Sequence, residues 1–150
     1  MCRKLFFLTF LVVVSLVLSS AAEAGPLVGW WKLDGNLQDS SGLGNHGVAG
    51  GNPTFVPGKL SNGLNLDGDD YVVIDSVDND VTSTNFSLSV WVKSTQTGQG
   101  DLIALNDSAS AHPFELYIAG GGYPGRNDGN DQSFTSAPRI GDGQWHMLTY

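Results

Sequence analysis

Short apolar segments alternate with polar, glycine-rich stretches along most of the chain. The clearest pattern covers residues 86–93, where every even position is apolar and most odd positions are small or charged. A period of two residues is typical of a strand with one buried face. The pattern therefore predicts a strand whose even positions face a core, with Trp91 on the opposite face, where it either packs under a second layer or contacts a ligand.

Further strands are predicted wherever apolar residues alternate between turn-forming residues. The segments at 64–66 and 71–74 are separated by Gly68 and three aspartates, which predicts a hairpin. Trp30 and Trp31 are expected on opposite faces of a first strand. Helical periodicity is confined to the N-terminal apolar run. These features predict an all-β fold, an antiparallel two-sheet sandwich of the jelly-roll type. The remaining predicted strands lie at 27–33, 54–58, 102–105, 114–119, 132–136 and 144–150.

The first 24 residues have the pattern of a secretory signal peptide. Arg3 and Lys4 precede an apolar run at 5–18, which ends near Ala22 and Ala24. We predict cleavage after Ala24, a secreted or cell-surface protein, no membrane insertion after cleavage, and one β-sandwich domain over residues 25–150. Retention of the apolar run as an anchor is the alternative. The single cysteine, Cys2, lies in this leader, so no disulfide is expected in the mature domain.

The charge balance excludes one class of partner. The chain has 15 acidic and 7 basic residues, a net charge of −8, and removal of the leader makes it slightly more acidic. A protein that binds nucleic acid must replace counterions along the phosphate backbone with its own cations. The composition thus argues against a nucleic-acid partner and suits an extracellular protein or one that binds cations.

Several motifs follow one another in a recognisable order: Trp-Lys-Leu-Asp at 31–34, Asp-Ser-Ser-Gly-Leu-Gly-Asn-His-Gly at 39–47, the segments at 56–59, 64–68 and 70–73, the strand at 86–93, and Asp-Gly-Gln-Trp-His-Met-Leu-Thr-Tyr at 142–150. In this order they resemble the laminin G-like domains of the concanavalin A-like lectin and glucanase group. The resemblance extends over residues 27–150, and it implies that further strands follow Tyr150, so we expect a domain truncated at its C-terminus within a larger multidomain chain.

This resemblance implies a structural calcium ion near the glycine-rich loop, with Asp34, Asp39 and Asn45 as ligands. Hard cations bind carboxylate, amide and backbone oxygens, and a glycine-rich loop can direct its carbonyl groups inward. The alternative is that Asp39 caps a turn and Asn45 has a left-handed conformation. A second acidic group at 67, 69 and 70 is interpreted as turn chemistry.

Ligand contact is predicted for one set of aromatic and basic residues. Aromatic rings stack on sugar rings, and arginine supplies planar donors. Packing is the alternative for each of these residues, and it is the interpretation for Trp30, Trp31 and Trp145. The predicted ligand-binding residues are Trp91, Tyr117, Tyr123 and Arg126.

The same fold also occurs in enzymes, so catalysis is an alternative to ligand binding alone. Glucanases of this fold carry Glu-x-Asp-x-x-Glu on one strand, whereas Glu115 is the only glutamate beyond the leader and has no acid at that spacing. We therefore predict a non-catalytic module that recognises carbohydrate or an extracellular protein and is stabilised by calcium. The alternatives are part of a glycan-acting enzyme with its catalytic residues elsewhere, and a structural or adhesive spacer.

Overall fold

The computed structural model describes residues 27–75, 77, 86–105 and 114–150, and the predicted signal peptide lies outside these ranges. Within them the chain forms ten strands and no α-helix, and every strand pair is antiparallel. The predicted all-β antiparallel class is thereby confirmed. The strands are β1 (Val48–Gly50), β2 (Thr54–Pro57), β3 (Asn62–Asn65), β4 (Tyr71–Val73), β5 (Ser89–Lys93), β6 (Gly100–Leu105), β7 (Phe114–Ala119), β8 (Tyr123–Asn127), β9 (Gln132–Ser133) and β10 (Trp145–Thr149).

The described strands form one four-stranded sheet, β6-β7-β8-β9, and three two-stranded ribbons, β1-β4, β2-β3 and β5-β10. The hairpin predicted between the segments at 64–66 and 71–74 is wrong, because β3 pairs with β2 and β4 pairs with β1. The Asp70 carboxylate accepts a hydrogen bond from the Asn52 amide at 2.5 Å, on the segment that follows β1. This contact directs the chain toward β1 at the start of β4, so the two segments join different ribbons.

The core is centred on β7, the most buried strand of the four-stranded sheet. Five of its six residues are buried, and the exposed fraction of Ile118 is only 2%. The strand has β6 on one side and β8 on the other, so its backbone groups are paired along both edges. On one face the Tyr117 ring lies directly against Gly125 of β8, where a Cβ atom would overlap the ring. Glycine is thus required at that position for close strand packing.

The alternation predicted for residues 86–93 is confirmed. Even positions are half-buried and odd positions are exposed throughout the segment. Strand β5 pairs with β10, and reciprocal backbone hydrogen bonds of 3.0 and 2.9 Å between Leu88 and Tyr150 extend this ladder. Phe86, Phe114 and Tyr150 form an aromatic cluster with ring centroids 4.5–5.4 Å apart, which joins the inner side of the ribbon to β7.

The strand predicted at 27–33 is reduced to a single bridge between Trp31 and Asp39. Trp30 is 52% exposed, so its assignment to the core is wrong. The backbone of Trp30 is used by the glycine-rich loop instead, since its amide donates to the Asp39 carboxylate and its carbonyl accepts from Ser40. Trp31 is half-buried, and its indole nitrogen donates to the Asn45 carbonyl at 2.7 Å. Contacts with this loop replace those of a regular strand.

Candidate functional site

The glycine-rich loop at 39–47 is organised by the carboxylate of Asp39. One carboxylate oxygen accepts hydrogen bonds from the amides of Trp30 and Ser41, at 2.9 and 2.8 Å. The other accepts from the Ser41 hydroxyl at 2.6 Å and the Asn45 amide at 3.1 Å. Each oxygen therefore has two protein donors, and the residue itself is only 8% exposed. Four donors around one carboxylate favour its charged form.

The pKa of Asp39 shows the balance between burial and hydrogen bonding. Burial alone would raise the pKa, but the hydrogen bonds from Ser41, Trp30 and Asn45 outweigh it and hold the pKa well below the usual range. The carboxylate is therefore ionised at neutral pH. Its negative charge is stabilised by hydrogen-bond donors of the loop and of Trp30.

The structure places the three predicted calcium ligands in different surroundings. The Asn45 side-chain amide donates to the Val28 carbonyl at 2.8 Å, next to Asp39. Asp34 instead accepts a hydrogen bond from the Asn62 amide at 3.1 Å, and this bond is the main cause of its lowered pKa. Asp39 and Asn45 thus lie together, whereas Asp34 joins the turn between β2 and β3. A metal-binding role for these three residues stays a prediction.

A different acidic group lies between β3 and β4. Carboxylate oxygens of Asp67, Asp69 and Asp70 all lie within 4.8 Å of one another. The negative charge of Asp70 is the main cause of a raised pKa at Asp67. Crowded carboxylates repel one another, and a hard cation relieves that repulsion while using their oxygens as ligands. The chemistry of this donor set fits a calcium ion, and we call it the acidic cluster.

The four predicted ligand-binding residues do not converge on one site. Tyr117 is only 3% exposed, and its hydroxyl donates to the Asp131 carboxylate. Burial is the main cause of the raised pKa of its hydroxyl. Tyr123 lies on the same face of the four-stranded sheet, with the Arg139 guanidinium 5.1 Å from its ring centroid. Both rings are engaged by neighbouring side chains of the protein.

Arg126 lies on the opposite face of that sheet, paired in register with Leu116. It borders an open groove of about 520 Å³ between β8 and β10, which is also lined by Phe134 and Tyr150. Its guanidinium forms an ion pair with Asp128 and donates to the Gln132 side chain at 3.2 Å. These contacts use two of the five N–H donors of the guanidinium and hold the side chain against neighbouring residues of its own chain.

Trp91 has the position expected of a contact residue. It is 37% exposed on the outer face of the β5-β10 ribbon, directly across from Met147. On the same face Lys93 is paired in register with Trp145. The Lys59 ammonium, from the turn between β2 and β3, lies 5.2 Å from the centroid of the Trp91 ring. We call this surface of Lys59, Trp91, Lys93, Trp145 and Met147 the tryptophan face.

A groove of about 320 Å³ separates the β2-β3 ribbon from one end of the tryptophan face. Lys93 and Trp145 line it from the β5-β10 ribbon, and Val56 and Leu64 line it from β2 and β3. The polar side chains of Asn65, Ser94 and Thr95 complete the lining. Apolar walls with a few polar groups are typical of ligand sites, and the volume is at the lower end of the range for pockets.

Four members of this surface were not predicted to contact a ligand: Lys59, Lys93, Trp145 and Met147. Trp145 was interpreted as packing, although it is half-buried and borders the groove. The period of two did place Lys93 on the same face as Trp91, but Lys59 reaches that face from a distant turn. Its only local signal was a lysine after Pro57-Gly58, a turn pattern that does not specify the surface it will cover.

Comparison with known proteins gave one family match. The model of the concanavalin A-like lectin/glucanases superfamily, in its third laminin G group, matches residues 66–150, which is more than half of the chain. Neither the curated proteins nor the solved structures gave a match. Among the described residues, no helix has the length and apolar character needed to cross a bilayer.

Proposed function

Because the chain belongs to the laminin G group of the concanavalin A-like lectin/glucanases superfamily, we propose that it is a secreted, non-catalytic module that binds carbohydrate. Membership supports a binding module for carbohydrate or protein. The observation that carries the choice of carbohydrate is the tryptophan face, where an indole that is 37% exposed lies next to a groove with polar lining groups. Aromatic rings stack on the apolar faces of sugars, and the polar groups of such a site bind sugar hydroxyls.

The assignment of a non-catalytic role rests on the surroundings of Glu115. This residue lies in β7, and its cross-strand neighbours are Ala104 and Asn127, neither of which is an acid. Retaining and inverting glycosidases both need a second carboxylate across the scissile bond. Secretion rests on the signal-peptide pattern of the first 24 residues.

A structural calcium ion is part of this proposal. The family often binds metal, and the acidic cluster supplies three carboxylates within 4.8 Å. A bound cation would relieve the repulsion that raises the pKa of Asp67 and would hold together the segment between β3 and β4. We favour this cluster over Asp39, because both oxygens of the Asp39 carboxylate already have two protein donors each.

Protein recognition is the second candidate function, and the β1-β4 ribbon favours it. Val48 and Val73 are paired across this ribbon and are 66% and 40% exposed, and Tyr71 on the same face is 56% exposed. Grouped apolar side chains on a surface are typical of protein interaction sites. This ribbon lies outside the tryptophan face, so the two functions can be separated by mutation.

The carbohydrate proposal is tested by screening the purified protein on immobilised glycans and measuring affinity for those that bind. Trp91→Ala is expected to weaken binding about fivefold, since a stacked aromatic contributes roughly 1 kcal/mol. Trp30→Ala is a matched control, because Trp30 is also exposed and also has a lysine, Lys32, over its ring. Equal loss in both variants, or no bound glycan at all, would contradict the proposal.

A further inference from the structure

The cations of the tryptophan face are placed unusually for so acidic a chain. The protein has 15 acidic and 7 basic residues, yet two lysines belong to this one surface. Lys93 comes from β5, and Lys59 comes from the turn between β2 and β3. Among the residues that the structure describes, neither lysine forms an ion pair. Their charges are therefore available to a ligand.

None of the described residues that line the groove beside these lysines is acidic. Its lining residues are apolar, amide, hydroxyl or basic, with Lys93 as the charged member. The acidic residues nearest to the lining in sequence are Asp142, which precedes Gly143 and binds the His146 ring at 2.8 Å, and Asp67, which follows Asn65 by two residues and belongs to the acidic cluster. Lys93 is thus the charged residue among the lining groups, and Lys59 lies beside it on the tryptophan face, in a chain whose net charge is −8. This contrast favours an anionic ligand.

The two lysines flank the aromatic surface in a way that fits a charged sugar. The Lys59 ammonium lies over the Trp91 ring, 5.2 Å from its centroid, in the range of a cation–π contact. Lys93 is two residues from Trp91 on the same face of β5, which places their Cβ atoms about 7 Å apart. A pyranose ring that stacks on Trp91 would thus carry its substituents toward both ammonium groups.

We propose that the tryptophan face selects carbohydrates that contain uronic acids, with Lys59 and Lys93 binding the sugar carboxylates while Trp91 stacks on the ring. This inference rests on the proposed carbohydrate-binding function and adds the class of ligand. Lys59 acts as a specificity residue, because its ammonium leaves the indole for the carboxylate when an anionic sugar binds. A neutral sugar must displace the same ammonium and receives no ion pair in return.

The test uses matched pairs of immobilised hexasaccharides: alginate, polygalacturonate and β-1,4-glucuronan, each beside its carboxyl-reduced form. Reduction removes the charge and keeps the sugar backbone. The expected result is at least tenfold tighter binding to one or more uronate forms, with the preference falling as NaCl rises from 50 to 500 mM. Lys59→Gln and Lys93→Gln are each expected to reduce that preference about three- to fivefold. Lys32→Gln is the control, since Lys32 lies over the ring of Trp30 and not over that of Trp91.

The outcomes separate this inference from the proposed function. Equal binding to charged and reduced forms, with loss on Trp91→Ala, would overturn the uronate inference and leave carbohydrate binding intact. Absence of binding to every sugar would overturn both. Binding of poly-glutamate as tight as that of the uronates would also overturn the inference, because it would show recognition of charge without the sugar ring.

Discussion

Asp39 organises its surroundings through one buried carboxylate. Its four donors come from Trp30, Ser41 and Asn45, and its own amide donates to the His46 ring at 3.0 Å. The residue therefore joins the segment before the loop to both ends of the loop. The alternative drawn from the sequence, in which Asp39 caps a turn, describes these contacts.

The lowered pKa of Asp39 predicts how the stability of the folded protein depends on pH. The folded-state pKa lies below the value of about 3.9 in an unfolded chain, so the stabilising effect is present at neutral pH. It is lost as the pH falls below about 4 toward the folded-state pKa. We expect Asp39→Asn to lower Tm by several degrees at pH 7 and to flatten the decrease of Tm between pH 5 and about 2.5.

Thermal melts across that pH range check this expectation. Asp75→Asn is the control, since Asp75 is an exposed aspartate outside the loop, and it should melt as the wild type does at each pH. An Asp39→Asn curve parallel to that of the wild type would show that the carboxylate has no special role in acid sensitivity.

Trp91 is the other residue for which tertiary contacts decide the role. At 37% exposure it is neither a core side chain nor an isolated surface ring, and Lys59 lies against it. The two alternatives drawn from the sequence, packing and ligand contact, are thus both present in part. Glycan affinity and Tm, both measured for Trp91→Ala, show how much Trp91 contributes to ligand contact and how much to packing.

Among the elements, β7 contributes most to the core and β1 contributes little. Ile118 is 2% exposed, whereas Val48 is 66% exposed. Ile118→Ala is expected to lower the free energy of unfolding by about 3 kcal/mol, because it removes a buried side chain and leaves a cavity. Val48→Ala, a similar truncation on an exposed strand, should change it by less than about 0.5 kcal/mol. Urea denaturation measures both values, and equal losses would contradict the assignment of the core.

In the β5-β10 ribbon, the inward face of β5 and the strand that pairs with β5 are determined by different factors. Alternation along β5 predicted which side chains point inward, since the period of two is a local property of the strand. Its partner β10 lies about 60 residues further along the sequence, yet the Ser89 and Thr149 hydroxyls are 3.0 Å apart across the ribbon. Pairing at that separation depends on closure of the intervening chain and on competition among all strands.

For the whole molecule, calcium binding is expected to couple to global folding. A cation that binds only the native acidic cluster stabilises the protein by about 2.7 kcal/mol at a hundredfold excess over Kd. We expect chelation to lower Tm by several degrees in the wild type. Asp67→Asn should remove this difference and, in chelator, should melt no lower than the wild type, because it relieves the repulsion from Asp70.

The same melts distinguish the two candidate metal sites. Asp39→Ala is expected to destabilise the protein to a similar extent with and without calcium, since its carboxylate binds protein donors. If Asp39→Ala abolishes the calcium dependence and Asp67→Asn does not, the ion belongs at the glycine-rich loop. Asp75→Asn should leave the calcium dependence unchanged.

Properties that depend on neighbours along the chain could be predicted from the amino-acid sequence. The strand class, the bounds of β7 at 114–119, the inward face of β5 and the polar character of the loop at 39–47 all follow from local periodicity and turn chemistry. The regular strand predicted at 27–33 did not form, because the Trp30 amide donates to the Asp39 carboxylate and the Trp31 indole donates to the Asn45 carbonyl. Strand propensity does not encode such contacts.

The amino-acid sequence did not predict which segments meet. The pairing of β3 with β2, the separation of Asp34 from Asp39, and the approach of Lys59 to Trp91 all depend on how distant segments pack. Trp91 is therefore the one residue of the tryptophan face that the sequence predicted as a ligand contact. Its neighbours on that face, such as Lys59 and Trp145, were identified from the structure. Local sequence specifies the face of a strand, but the surface formed there depends on long-range contacts whose free energies are settled by the whole chain.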